Sequence, residues 1–356
     1  MNTETFLRAA VEKKASDIYI MEGKPVTFKI NGFLSEWNDE PLTPGQTGEI
    51  LRDIYKLAAD RDFSLLDKGD DDFAVVLPDV SRFRVNAYRQ SLSCASVIRT
   101  VPVNIPDPRK INIPETIMKL ADYQRGIILF TGTTGSGKST SLACVIDKIN
   151  STRQNHIVTI EDPIEYRHVK KKSLISQREI DSDTVSFMSA LRAAMRQAPD
   201  VILVGEMRDP ETISAAITAA ETGHLVISTL HTIGAASTVD RIIDSFPTNQ
   251  QNQVRSQLST TLQAVVSQQL IPTIDKTLCP AFEIMVVSSA IRNLIRENKV
   301  FQIDNILQTS ASSGNVTMDM SLFELFKKKT ISRENALLYS VNQQQLLSRL
   351  SGMGSC

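Results

Sequence analysis

One octapeptide, Gly132-Thr133-Thr134-Gly135-Ser136-Gly137-Lys138-Ser139, has the residue types and spacing to cradle a phosphate chain. Glycine lets the backbone wrap so closely that its N–H groups point inward at phosphate oxygens. The apolar run Ile127-Ile128-Leu129-Phe130 before it reads as a strand, and Leu142 and Val145 after it lie on a helix. The octapeptide thus sits where a strand opens into a helix N-terminus, whose dipole favours an anion. The pattern is a complete G-x-x-x-x-G-K-[ST], the P-loop spacing. It predicts that Lys138 reaches the β- and γ-phosphates of ATP and that Ser139 binds Mg²⁺, with Gly132 to Thr140 as the nucleotide-binding segment. The Lys-Ser pair is foreign to the dinucleotide fingerprint, which sets that kind of site aside.

Hydrolysis needs acids near that cradle. Asp200-Val201-Ile202-Leu203-Val204-Gly205-Glu206 is an apolar strand ending in a carboxylate, expected beside the P-loop strand with its end facing Mg²⁺. Glu206 follows the run and is preferred on the metal side, because Asp200 marks the opposite edge. A second apolar strand ends in Glu161-Asp162-Pro163-Ile164-Glu165. Ligands of open α/β sheets bind at the carboxyl ends of strands, so Glu161, rather than Asp162 or Glu165, is expected to hold or activate the attacking water.

Histidines and arginines complete the candidates. His224 and His231 bracket the run Leu225 to Leu230. Their odd spacing puts them on opposite faces of an ideal strand, which weakens any shared-ligand reading. His231, at the carboxyl end, is placed to sense the γ-phosphate, whereas His224 reads equally well as a structural hydrogen-bonder. Charge building on a transferred phosphoryl group calls for a cation, which another domain or subunit can supply. Arg84 and Arg99, on strands near the N-terminus, are the candidates, although a solvated strand face explains them from composition alone.

The elements that must position these groups follow from pattern. The 356 residues suggest two domains, and 42% hydrophobic with 22% charged content is ordinary for a chain that buries a core. Residues 1–104 mix short helix and strand patterns in an α+β module. Pro102, Pro106, Pro108 and Pro114 then exclude both helix and central strand, so a Pro-rich linker is expected over 105–116. From 117 to 356 strands and helices alternate. Strands are expected at 126–131, 156–161, 200–205, 225–230 and 281–287, and helices at 138–149, 185–197, 210–221, 235–245 and 250–270. The tail reads as helices at 288–297, 318–328 and 332–349. That pattern is a doubly wound α/β core with a helical C-terminal part.

Bulk composition narrows the function classes. There are 39 Lys+Arg against 40 Asp+Glu, a net charge of -1, which argues against a strongly basic nucleic-acid binder. The cysteines, Cys94, Cys144, Cys279 and Cys356, form no paired motif, so neither a zinc site nor a disulfide framework is expected. No signal peptide or spanning segment is read, so a cytoplasmic chain is expected, reaching any membrane through partners.

Taken together, TGTTGSGKST (131–140), TIEDPIEY (159–166), RQAPDVILVGEMRDPET (196–212) and ETGHLVISTLHT (221–232) resemble the type II/IV secretion ATPase superfamily. They match its Walker A, Asp-box, Walker B and His-box motifs in that order. ASDIYI (15–20) and RFRVNAYRQ (82–90) are similar to its N-terminal module, so the resemblance covers nearly the whole chain. Within the superfamily the chain looks most like the twitching-motility ATPases that retract type IV pili, which carry the AIRNLIRE element found here at 290–297. The resemblance implies a RecA-like P-loop core with a smaller PAS-like N-terminal domain, a homohexamer, and ATP held between the two domains. It implies Glu161 as catalytic base, Glu206 on the Mg²⁺ side, His224 and His231 in the His box, and Arg84 and Arg99 on nucleotide phosphates. It further implies a cytoplasmic motor, peripheral at the inner face of the cytoplasmic membrane, that engages an inner-membrane platform protein and no nucleic acid. Thr133 stands where the family usually has Pro, and Tyr19 where it usually has His. Rival readings are a pilus-extension or type II secretion ATPase, which resemble longer chains with a four-cysteine element, and a nucleic-acid motor on a RecA-like core. A nucleotide-binding scaffold without turnover is a third.

Overall fold

The computed structural model describes residues 2–30, 32–101, 104–310 and 314–351. Pro102 and Val103, the first residues of the proline stretch, and Cys356 lie outside that range. The chain divides into two units, Met1–Asn104 and Ile105–Cys356.

In the first unit α1 (Thr3–Glu12), β1 (Asp17–Ile20), β2 (Thr27–Ile30), β3 (Phe33–Glu36), α2 (Pro44–Leu57), β4 (Asp70–Leu77), β5 (Ser81–Gln90) and β6 (Ser93–Val101) follow one another. The strands make one antiparallel sheet, ordered β3-β2-β1-β6-β5-β4. One sheet face, with Ile18, Phe28, Phe83 and Ile98, is buried in a core shared with Phe6 of α1 and Leu51 of α2. Helix α2 starts sharply because Thr43 and Gln46 form a reciprocal capping box and Pro44 takes the first helical position. The register sets Arg84 directly across from Arg99. Like charges so opposed repel, and Arg99 finds relief in Asp17, whose carboxylate lies 3.0 Å from its Nε.

The second unit holds α3 (Glu115–Met118), β7 (Gly126–Thr131), α4 (Lys138–Thr152), β8 (His156–Glu161), β9 (Leu174–Glu179), α5 (Phe187–Ala194), β10 (Val201–Val204), α6 (Pro210–Glu221) and β11 (Leu225–Leu230). It continues with α7 (Ala235–Asp244), α8 (Thr248–Thr261), β12 (Leu262–Pro272), β13 (Leu278–Val286), α9 (Ser289–Arg296), α10 (Ile303–Thr309), α11 (Met318–Lys327), α12 (Arg333–Leu338) and α13 (Gln343–Ser351). The sheet order is β13-β12-β7-β11-β10-β8-β9, parallel throughout except for β13. Alternate residues of the buried strands feed two cores. Ile128, Phe130 and Leu203 pack with α4, and Ile127, Leu129 and Ile202 pack with α5 to α9. Helices therefore cover both faces, as the continuous apolar runs require. Ile105, Ile111 and Ile113 of the proline-containing stretch pack on the α4 side, where Cys144 Sγ also donates to Pro106 O at 3.4 Å.

Three expectations need correction, and three elements were not expected at all. Residues 250–270 are not one helix: α8 passes directly into β12, without a glycine or proline between them. Leu262, Ala264, Val265 and Val266 are wholly buried because β12 lies between β7 and β13, and strand pairing on both sides outweighs the helix-neutral Gln, Ser and Thr around them. The strand ending near Glu206 is not beside the P-loop strand, since β11 lies between β10 and β7 and pairs with both. The stretch 332–349 forms two helices, divided where the Asp319 carboxylate accepts from Val341 N at 2.7 Å and Asn342 N at 2.9 Å. Finally, β3, β9 and α10 lack a readable signal, because β3 is exposed along its length and β9 is a half-polar edge.

Leu262 marks the corrected boundary and is wholly buried. Leu262→Ala should cost about 2–5 kcal/mol of stability, read as a lowered denaturant midpoint with unchanged slope. A cost below about 1 kcal/mol would contradict the central position of β12.

Candidate functional site

Four parallel strands bring their carboxyl ends to one edge of the sheet. After β7 comes the P-loop, β8 ends at Glu161, β10 is followed by Gly205 and Glu206, and β11 is followed by His231. Gly137, the residue that precedes α4, lies in the left-handed region (φ 87°), and no side chain caps the first turn of the helix. Its orphan N–H groups are thereby left for an anion. Lys138 is buried and donates from Nζ to Gly132 O at 2.7 Å and Thr133 O at 2.9 Å. Burial holds its pKa below the ordinary lysine value, offset in part by the fields of Glu206 and Glu165. Among the described residues, the Thr131 and Ser136 hydroxyls are buried with no hydrogen-bond partner. Orphaned hydroxyls are costly, and here they flank the loop expected to hold phosphate oxygens.

The glycine at 132 is required by space. Its φ is 137°, and a Cβ there would stand 2.3 Å from Gln268 O and 2.8 Å from Ser136 Oγ. Gln268 is on β12, and its side-chain Oε1 accepts from Ser141 Oγ at 2.8 Å while its Nε2 would lie 2.8 Å from a Cβ at Gly137. Sequence reading missed Gln268 because it placed this residue in a helix.

The two acids sit in contrasting surroundings. Glu206 Oε1 is paired with Arg208 Nε at 2.7 Å and His231 Nε2 at 3.2 Å. Burial alone raises its pKa, but the Arg208 hydrogen bond and charge, His231 and Lys138 outweigh this and hold it below the usual carboxylate value. Among the described residues no cation is paired with Glu161. Burial pushes its pKa up to about 7, against hydrogen bonds from Thr159 Oγ1 at 2.6 Å and Gln177 Nε2 at 3.2 Å. Arg208 carried no signal beyond its place two residues after Glu206. Gln177 lay in an unread strand.

The structure thus brings Lys138, Glu206 and His231 together electrostatically at the edge where Glu161 also ends its strand. Ser139 and Thr140 occupy the first turn of α4, and Thr140 Oγ1 lies 2.9 Å from Tyr166 OH. Thr133, Thr134 and Gly135 are exposed along the loop. His224 is not brought to this edge. It precedes β11 at the opposite end, with Nδ1 2.8 Å from Ala219 O and 3.2 Å from Thr222 Oγ1. Arg84 and Arg99 belong to the first unit and sit on its β5–β6 pair.

Mg²⁺ is a hard cation that commonly takes one or two protein oxygens plus phosphate and water. The Ser139 hydroxyl and the Glu206 carboxylate fit that need. Among the described residues no group of three or more His, Cys, Asp or Glu forms an all-protein cage.

Residues 2–317 match the family described as Type II/IV secretion system protein. The chain is 46% identical over 336 residues to the type IV pilus retraction ATPase PilT of Pseudomonas aeruginosa, covering 94% of this chain and 97% of that one. It is 52% identical over 276 residues to a twitching motility protein of Neisseria gonorrhoeae, covering 77% and 74% respectively. A crystal structure of the pilus retraction motor PilT with bound ADP superposes with a TM-score of 0.89 at 43% identity, covering 98% of this chain and 99% of that one.

Gly132→Ala tests the cradle. A Cβ cannot fit against Gln268 O, so the variant should lose measurable binding of adenine nucleotide in calorimetry and be destabilised by about 1–3 kcal/mol from the strained backbone. Undiminished binding would show that the loop relaxes without cost.

Proposed function

The chain belongs to the Type II/IV secretion system protein family, and from that premise we propose an ATP-hydrolysing motor that powers type IV pilus retraction. The observation that carries this reading is the end-to-end likeness, in sequence and structure, to a pilus retraction ATPase. The site chemistry supports hydrolysis. Lys138, now bonded to two carbonyls, exchanges them for phosphate oxygens. The N–H groups at the start of α4 and the orphaned Ser136 hydroxyl complete the anion cradle. Ser139 and Glu206 hold Mg²⁺, which when bound neutralises charge on the phosphate oxygens. Glu161 takes a proton from the attacking water, a task suited to a carboxylate whose affinity for protons is raised by burial. His231 and Arg208 keep Glu206 ionised and fixed in place.

The remaining assignments rest on the resemblance. We propose a homohexamer that engages an inner-membrane platform protein of the pilus machinery from the cytoplasmic side. Arg84 and Arg99 are proposed to contact nucleotide phosphates, and His224 to act in the His box. None of the described helices is long and apolar enough to cross a membrane. Domain motion about the proline-containing stretch would convert hydrolysis into work on the pilus base.

Lys138→Ala should abolish ATP turnover while the fold persists by circular dichroism, and normal turnover would sink the P-loop reading. Glu161→Gln should bind ATP yet hydrolyse it at least ~100-fold more slowly. For wild type, kcat should fall as pH drops through about 7, since protonation below the raised pKa disables the base, and stay level above it. In cells, deletion of the gene should leave excess surface pili and no twitching. Loss of pili would instead assign the chain to extension.

A further inference from the structure

The geometry points to Gln177 as a positioning residue that aims the Glu161 carboxylate at the attacking water. The inference rests on Glu161 being the base. Strands β8 and β9 run parallel in a register that sets Gln177 across from Thr159. Side chains two residues apart on a strand share a face, so Thr159 and Glu161 point the same way. The Gln177 amide meets them there. Thr159 Oγ1 and Gln177 Nε2 converge on one carboxylate oxygen, Oε1, at 2.6 and 3.2 Å.

The backbone fixes which end of that amide faces Glu161. Gln177 Oε1 accepts from His168 N at 2.9 Å, and its Nε2 also donates to Tyr166 O at 2.9 Å. A peptide N–H only donates and a carbonyl only accepts, so the amide cannot be reversed without losing both bonds. Its NH₂ end is therefore presented to the carboxylate, and the side chain makes three contacts with little freedom left. The segment it grips continues to the P-loop helix, because Tyr166 OH is 2.9 Å from Thr140 Oγ1. Gln177 thereby holds the base in a frame that also contacts the nucleotide-binding helix. The charged groups near Glu161 are Asp162 and Glu165 on the following segment, Glu179 across the β9 register, and Glu206 beyond Gly205. The Glu179 carboxylate accepts from Ile164 N at 3.0 Å.

The test compares steady-state ATP hydrolysis by wild type, Gln177→Leu, Gln177→Glu and Glu161→Gln across pH 5.5 to 9. Gln177→Leu should lower kcat about tenfold with KM for ATP within about twofold, and move the acidic limb of the kcat profile up by about half a pH unit, because a donor favouring the carboxylate is gone. Gln177→Glu keeps the shape but sets a second acid against the first, so its limb should move further in the same direction. It also carries the test if the leucine variant does not fold. A folded variant with wild-type kcat and pH profile would overturn the proposal. So would a raised KM with unchanged kcat, which marks a nucleotide-binding role instead. Wild-type turnover in Glu161→Gln would overturn the base assignment itself. An inactive Glu161→Gln beside a normal Gln177→Leu would remove Gln177 alone.

Discussion

The phosphate site depends on how closely one backbone approaches another at Gly132. The loop leaves β7 so near β12 that a single carbon at this position would stand 2.3 Å from Gln268 O. That approach exists because β12 pairs in parallel with β7 along Leu262 to Ser267. The neighbouring strand is thus one wall of the cradle. The same Gln268 bonds Ser141 in α4, so strand, loop and helix are tied at one point. A polar residue is needed there, since a leucine of similar size would leave the buried Ser141 hydroxyl without its acceptor.

Around this rigid cradle the sheet separates two carboxylates by environment. Burial raises the proton affinity of both, more strongly for the more deeply enclosed Glu161, and their partners widen the difference. Glu206 has a guanidinium, an imidazole and the field of Lys138, which together favour its charged form. Glu161 has burial, the nearby negative charge of Glu165 and only neutral donors, from Thr159, Gln177 and the Glu165 backbone, and its pKa rises. Pairs of acids pushed apart in this way are how one site supports two roles at one pH, a fixed anion and a proton acceptor. Inserting β11 between β7 and β10 serves the same division, because it delivers His231 to the Glu206 carboxylate.

Much of this was legible in the sequence because it is local. The strand-loop-helix around Lys138 needs only glycine spacing and flanking apolar runs, and β7, β8, β11 and α6 fall where the pattern puts them. Glu161 and Glu206 were legible for the same reason, as acids directly following apolar runs. What was not legible is relational. Strand order cannot be read from a run of valines, so the place of β11 was missed. The helix expected at 250–270 failed because Gln, Ser and Thr carry little periodic signal, and the decision between helix and strand was made by the strands on either side. Gln177 and Gln268 went unseen since neutral amides matter only through what they touch. His231 was legible as the histidine at the carboxyl end, and the six strand residues between it and His224 place the two at opposite edges of the sheet.

The AIRNLIRE element at 290–297 is likewise placed by what its side chains touch. Its Arg292 does not face outward. The guanidinium donates to Ser259 O and Thr260 O at 2.8 Å and to Gln263 Oε1 at 2.9 Å. Those carbonyls belong to the last turn of α8, where helical partners run out, so Arg292 supplies the stop that lets the chain turn directly into β12. Gln263 and Thr261 O in turn crowd Gly126, the first residue of the P-loop strand, so closely that a Cβ there would fall 2.5 Å from Thr261 O. Ile291 and Ile295 are buried in the core beneath. One face of the element is therefore part of the frame that holds β7 and β12 together, while Asn293, Arg296 and Glu297 lie exposed on the other. A change at Arg292 and a change at Arg296 are physically different perturbations. The first loosens the boundary from which the phosphate cradle hangs, and the second alters only charge at the surface.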